Sequence, residues 1–159
     1  LVGSKNIGAT NIVRTSGWKL GLITLIFDML KGFIPVVILK NHLIEQSFII
    51  LFIFLGHLFP IWIRFKGGKG IAVIIGCLFG YNFFYGMIFI LVWIVTAFVS
   101  KYSSLSALVA SLGILIIIYL ENDNIFSILL LMVMMIFLKH IPNIKRLMKG
   151  NELRINFKK

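Results

Sequence analysis

Acidic residues are scarce in this sequence, which has 159 residues and five Asp and Glu against 16 Lys and Arg. The net charge of +11 would suggest nucleic-acid binding in a soluble protein. Polar stretches are scarce too, because 60% of the residues are hydrophobic, whereas soluble domains have about 45–50%. Lipid must cover the apolar surface that a fold of this size cannot bury. The composition predicts an integral membrane protein that binds no nucleic acid.

Cysteine is nearly absent. The single Cys77 cannot form an intrachain disulfide, so it carries no information about the redox compartment. The sequence also lacks an initial Met and a signal peptide, and it begins at Leu1 within a polar segment. We therefore expect that the chain is truncated at its N-terminus.

Several apolar runs approach the length of about 20 residues that a transmembrane helix needs. Four of them are clear, at 18–39, 47–63, 103–120 and 125–141. A fifth run, 71–100, suits either one tilted helix or two helices that turn near Tyr81 and Asn82.

The basic residues decide between these alternatives. With two crossings in 71–100, 14 of the 16 Lys and Arg residues lie on one side of the membrane, in segments 1–19, 64–70, 101 and 139–159. The positive-inside rule makes that side cytoplasmic. We predict an all-α, polytopic membrane protein with six transmembrane helices and a single domain over 1–159. The helix that begins at 71 is then short, and Gly76 and Gly80 would let it pack closely against a neighbour.

A basic, glycine-rich loop, Lys66-Gly67-Gly68-Lys69-Gly70, lies between two apolar runs. Glycines let several backbone N–H groups point into one concavity and bind an anion. The N-terminus of the following helix adds partial positive charge. The loop is not a Walker A motif, because Gly70 stands where Ser or Thr should follow Gly-Lys. It is either a phosphate site or a flexible basic anchor.

Two further segments carry groups that suit an anion. The first has short hydrogen-bonding side chains and an arginine that can hold a phosphate through two N–H groups, namely Ser4, Asn6, Thr10, Asn11 and Arg14. The other has His140, Asn143 and Glu152. The alternative interpretations are a polar tail with a helix cap for the first and a basic juxtamembrane tail for the other.

Three other ionisable residues attract attention. His57 precedes the glycine-rich loop and is either a ligand donor or a histidine satisfied within the fold. Asp28 and Lys31 lie at i, i+3 within an apolar run and can pair on one helix face. An ionisable pair within a membrane helix is a candidate for function, but we interpret this one as a pair that braces the helix and contacts the polar loops.

Four motifs in order resemble the bacterial acyl-phosphate-dependent glycerol-3-phosphate acyltransferases: GSKNIGATNIVRT at 3–15, DMLKG at 28–32, GHLFPIWIRFKGGKGIA at 56–72 and HIPNIKRLMKGNE at 140–152. That family has seven spans, so this chain resembles a member without the first. Lys5 departs from the family's GSGN pattern and adds a charge beside the expected site.

The resemblance implies transfer of a fatty acyl group from acyl phosphate to the sn-1 hydroxyl of glycerol 3-phosphate, which yields lysophosphatidic acid and phosphate in phospholipid biosynthesis. The implied catalytic residues are Ser4, Arg14, Lys69, His140 and Asn143. The implied substrate-binding residues are Asn6, Thr10, Asn11, His57, Lys66, Gly67, Gly68, Gly70 and Glu152.

The expected partners are glycerol 3-phosphate, acyl phosphate and membrane lipid, with weak association with other phospholipid-synthesis enzymes. The expected location is the bacterial inner membrane, with the active site on the cytoplasmic face. We expect no cofactor and no metal, because Glu152 is the only acid in the predicted cytoplasmic segments. The His-x4-Asp dyad of other glycerophosphate acyltransferases is absent, so the base is either a substrate phosphate or His140.

Two other classes of protein remain open at this stage. A small membrane anion transporter would line a pore with the polar loops, although the duplicated halves common in transporters are not evident. A membrane-embedded partner subunit without activity is the second alternative.

Overall fold

The computed structural model describes residues 6–40 and 45–156. Regular secondary structure in these residues is helical: α1 (Ala9–Ser16), α2 (Trp18–Ile38), α3 (Gln46–Leu58), a 3-10 turn (Ile61–Ile63), α4 (Ile71–Tyr81), α5 (Phe83–Ser100), α6 (Ser103–Leu120) and α7 (Phe126–Met148). The predicted all-α class is confirmed.

Five apolar helices among the described residues are long enough to cross a membrane, if α3 is counted together with the 3-10 turn that follows it. The helix α4 is apolar but shorter, with 11 residues. The predicted break in 71–100 is confirmed at Asn82, whose Oδ1 accepts a hydrogen bond from Phe84 N at 2.9 Å and so caps α5. The structure therefore has five helices of spanning length and the short α4 where six crossings are predicted.

Helical residues lie outside the predicted apolar runs in two places. The polar segment near the N-terminus contains α1, an eight-residue helix that the predicted apolar runs do not include. The last helix continues through Pro142 to Met148, past the predicted end at 141. Proline removes one backbone hydrogen bond, but Asn143 beyond it is buried and hydrogen-bonded, which helps to hold the last turns.

The chain divides into two compact units, Leu1–Gly86 and Met87–Lys159. In the first unit, α2 packs against α1, α3 and α4. Its closest neighbour is α4, because a Cβ on Gly76 would overlap the carbonyl of Met29 and one on Gly80 would lie 2.9 Å from Val36 Cβ. From the first contact to the second, the residue numbers increase along both helices, so α2 and α4 run parallel. The predicted close packing at Gly76 and Gly80 is confirmed, with α2 as the neighbour.

The predicted pair on α2 is also present, since Lys31 Nζ lies 2.8 Å from Asp28 Oδ1. Asp28 is buried, whereas the Lys31 side chain is 62% exposed. The pairing limits the cost of placing a carboxylate in an apolar helix.

In the second unit, α6 packs against α7. Buried residues recur along α7 at three- and four-residue intervals, as expected for one helix face: Leu129, Met132, Val133, Ile136, His140 and Asn143. The last two are polar, so the face that forms the apolar core continues directly into candidate site residues.

We predict that Gly76→Ala destabilises the protein by about 1–3 kcal/mol through overlap with the α2 backbone. Gly113→Ala is the matched control, because its Cβ would lie 3.7 Å from Val92 Cγ1, in ordinary contact. The measurement is thermal unfolding in detergent, followed by a thiol-reactive dye that detects exposure of the buried Cys77. Equal melting temperatures for the two variants would contradict the close contact between α2 and α4.

Candidate functional site

The glycine-rich loop 66–70 lies directly on the end of α3. The Gly67 N–H donates to the carbonyl of Leu58 at 3.2 Å. A Cβ on Gly68 would overlap His57 Nε2. Gly70 has φ +83°, a left-handed conformation that favours glycine. The loop therefore needs its glycines in order to fold.

This loop leads into the N-terminus of α4, which begins at Ile71. The first N–H groups of a helix have no acceptor within it, and with the helix dipole they favour an anion. Lys66 is exposed and Lys69 half-buried. The arrangement has the backbone donors and cations that a phosphate site requires.

The structure places His57 beside this loop, with its ring against Gly68. Any side chain larger than hydrogen at that position would displace the imidazole. His57 therefore contacts the loop, and its role in substrate binding stays a prediction.

Helix α1 carries the residues of the first segment. Asn11 is buried, Arg14 is half-buried and Thr10 is exposed. Asn6 is half-buried and precedes the helix. The predicted catalytic Ser4 lies outside the described residues.

Helix α1 and the glycine-rich loop lie at the same end of the first unit. Residues Ala9 and Val13 of α1 contact Gly21 in the first turn of α2. Because α4 runs parallel to α2, the N-terminus of α4 also lies at that end. Two of the three predicted segments thus share one end of their unit.

The site residues of the second unit form a network around Glu152. One carboxylate oxygen, Oε1, accepts hydrogen bonds from Asn143 Nδ2 at 2.6 Å and from Ser104 Oγ at 2.8 Å. The other, Oε2, accepts one from Arg146 Nε at 2.6 Å. Glu152 is 8% exposed. Its charge is fully engaged by residues of its own unit.

The environment of Glu152 acts on its pKa in two opposing directions. Burial is the largest influence and raises the pKa, because it disfavours the charged carboxylate. Hydrogen bonds from Asn143, Arg146 and Ser104, with the charge of Arg146, together outweigh burial and lower the pKa below the usual 4.5. Glu152 is therefore held ionised at neutral pH.

His140 and Asn143 lie one turn apart on α7, and both are buried. His140 Nδ1 lies 2.8 Å from the carbonyl oxygen of Ile136. A carbonyl oxygen only accepts hydrogen bonds, so Nδ1 must carry the proton. In the neutral imidazole, Nε2 then carries none and can act as an acceptor.

Ser104 and Arg146 are site residues that sequence reasoning missed. Ser104 lies 48 residues from Glu152 along the chain, so spacing alone gives no signal. A signal does exist for Arg146, because it precedes Glu152 by six residues and Glu152 is the only acid in its segment.

Comparisons with known proteins agree with the motifs. A family model described as glycerol-3-phosphate acyltransferase matches residues 1–150. The glycerol-3-phosphate acyltransferase of Pelagibacter ubique is 48% identical over 156 residues, which cover 96% of this chain and 81% of that protein. The chain belongs to the glycerol-3-phosphate acyltransferase family.

Solved structures support the same membership. The acyltransferase is similar to crystal structures of PlsY (YgiH), an integral membrane glycerol 3-phosphate acyltransferase, in its glycerol 3-phosphate and lysophosphatidic acid forms. The TM-scores are 0.92 and 0.91, with 33% sequence identity in both cases. The matches cover 97% of this chain and 80% and 82% of the PlsY chains. The polytopic membrane fold and the acyltransferase class are thereby established.

We predict that Glu152→Gln lowers the stability of the acyltransferase by about 1–3 kcal/mol at pH 7, because it weakens charge-assisted hydrogen bonds. A lowered pKa in the folded state means that the ionised carboxylate stabilises fully above pH 4.5. That stabilisation is lost as the pH falls through the folded-state pKa. We expect the difference in melting temperature between Glu152→Gln and the parent protein to shrink below pH 4.5. The measurement is the melting temperature of both proteins from pH 7 to pH 3.

The control for this titration is Glu45→Gln, which changes an exposed acid. It should track the parent protein throughout. A constant difference between Glu152→Gln and the parent across the whole pH range would contradict the lowered pKa.

Proposed function

We propose that this acyltransferase moves a fatty acyl group from acyl phosphate to the sn-1 hydroxyl of glycerol 3-phosphate. The hydroxyl oxygen bonds to the acyl carbonyl carbon, the bond from that carbon to the phosphate oxygen breaks, and inorganic phosphate leaves with lysophosphatidic acid as the product. The observation that carries this proposal is the likeness over 97% of the chain to PlsY in its glycerol 3-phosphate form.

The first unit supplies the chemistry for binding phosphate. Two anionic substrates repel each other, so cations and backbone dipoles must offset their charge before they can meet. We assign this task to loop 66–70 with Lys69 foremost, the N-terminus of α4 and Arg14. Short polar side chains complete the binding surface, namely Ser4, Asn6, Thr10 and Asn11.

The second unit supplies the candidate base. With Nδ1 committed to the carbonyl of Ile136, His140 Nε2 would take the proton from the attacking hydroxyl. The ionised carboxylate of Glu152 only accepts hydrogen bonds, so the NH₂ group of the Asn143 amide must face it. Asn143 Oδ1 is then oriented as an acceptor, and we assign it to the neighbouring sn-2 hydroxyl of glycerol 3-phosphate. A phosphate of the substrate is the alternative base.

The reaction needs no cofactor in this proposal, because phosphate is already a good leaving group and positioning of the two reactants supplies much of the rate. The acyl tail of the donor is lipid-soluble, which explains a site on a membrane protein. We propose the cytoplasmic face of the bacterial inner membrane, on the charge distribution alone. The placement of all three segments on that face, within a single domain, stays a prediction.

The test is phosphate release from acyl phosphate by detergent-solubilised protein, with and without glycerol 3-phosphate. We expect release that depends on glycerol 3-phosphate, and a loss of about 10²–10³-fold in kcat/KM for Lys69→Ala. Lys40→Ala is the control, because Lys40 follows the opposite end of α2, and it should leave the rate unchanged. A transporter needs a sealed compartment and would not transfer the acyl group in detergent. Absence of acyl transfer in detergent would therefore overturn the proposal.

The base is tested by His140→Ala. Loss of a general base lowers kcat by about 10²–10⁴-fold, while the melting temperature confirms that the variant folds. If the variant keeps most of its turnover at saturating substrate, His140 is not the base and the substrate phosphate takes that role.

A further inference from the structure

The chain reverses direction after α7. Gly150 has φ +71° and its N–H donates to the carbonyl of Leu147 at 3.1 Å, while Asn151 N–H donates to that of Arg146 at 2.8 Å. A Cβ on Gly150 would meet nothing within 4 Å. Glycine is therefore needed there for its left-handed backbone and not for space.

The reversed segment is attached to the turn between α5 and α6. Ile155 N–H donates to the carbonyl of Lys101 at 2.7 Å. Arg154 Nε–H donates to the Tyr102 hydroxyl at 3.3 Å, and its guanidinium lies 5.7 Å from the centre of the Tyr102 ring. We call residues 152–155 on the turn 101–104 the tail clamp.

The turn itself has an uncommon conformation. Lys101 has φ +62°, which costs a residue with a side chain about 1 kcal/mol or more. The carbonyl that accepts from Ile155 belongs to this same residue. The left-handed backbone and the tail are therefore joined at one peptide unit, and the tail offsets part of the cost of the turn.

Glu152 lies between two fixed points, the reversal at Gly150 and the attachment at Ile155. Its Oε1 binds Ser104 from the turn side and Asn143 from the α7 side. Any movement of the tail would thus move the carboxylate that orients the Asn143 amide. The family model ends at residue 150, so residues 152–155 of the clamp lie beyond its match.

We propose that the tail clamp positions Asn143 for acyl transfer, through Glu152, with Gly150 and Ile155 as positioning residues. This rests on the role proposed above for Asn143. The contact between Arg154 and Tyr102 is exposed, and exposed charged contacts contribute little. The test therefore addresses the backbone hydrogen bond of Ile155, which attaches the tail beyond Glu152.

The test removes the donor of that hydrogen bond. Ile155→Pro lacks the N–H donor, whereas the matched control Ile155→Ala keeps it and loses only the side chain. We expect Ile155→Pro to lower kcat by roughly 10-fold with little change in KM, since a misplacement of about 1 Å can cost about 100-fold in rate. Ile155→Ala should stay near the parent rate. Lys101→Gly keeps the carbonyl, accepts positive φ and should also stay near it.

A double-mutant cycle separates positioning from a general loss of structure. In an Asn143→Ala background, Ile155→Pro should have little further effect on kcat, because nothing remains to be positioned. An equal loss in both backgrounds would overturn the proposal, and so would an unchanged kcat for Ile155→Pro. If Asn143→Ala itself retains full activity, the proposed role of Asn143 fails instead, which keeps the two outcomes distinct.

Discussion

The close approach of α2 and α4 is the contact on which the first unit, with the proposed phosphate site, depends. Gly76 and Gly80 bring the α4 backbone against Met29 and Val36 of α2. In lipid, packing apolar side chains between helices removes no apolar surface from water. Membrane helices therefore associate through close packing and hydrogen bonds. This packing holds α4 parallel to α2 and so determines where its N-terminus lies. The backbone proposed to bind an anion is thus positioned by residues that have no polar side chain.

The buried charges of the described chain follow a common rule. Asp28 lies next to Lys31, and Glu152 accepts hydrogen bonds from Arg146 and two neutral donors. Removing one partner from such a group leaves a charge that the fold must then desolvate without compensation. The pairing of Glu152 has a further consequence, because one of its hydrogen-bond donors, Asn143, is a candidate site residue. The carboxylate that stabilises the end of α7 also orients Asn143.

Much of the fold was predictable because its signals are local. The apolar runs predict the long helices, and the break at Asn82 follows from the length of 71–100 and the distribution of charge. The pairing of Asp28 with Lys31 follows from one helical turn. The helix α1 was not predictable in this way, because it is short and packs through Ala9 and Val13 against Gly21, a partner set by tertiary structure. The partners of Ser104 and of the His57 ring could not be predicted for a similar reason, since tertiary packing determines them.

The charge pattern of the chain is consistent with its proposed chemistry. Both proposed substrates are anions, so a carboxylate near them would oppose binding unless its charge were neutralised locally. Glu152 is the only acid in the predicted cytoplasmic segments, and it is both buried and paired with Arg146. It can therefore orient Asn143 without adding an uncompensated negative charge. In the proposed mechanism, the lysines and arginines of the other two segments face no opposing carboxylate, which gives a physical reason for the scarcity of acids in these segments.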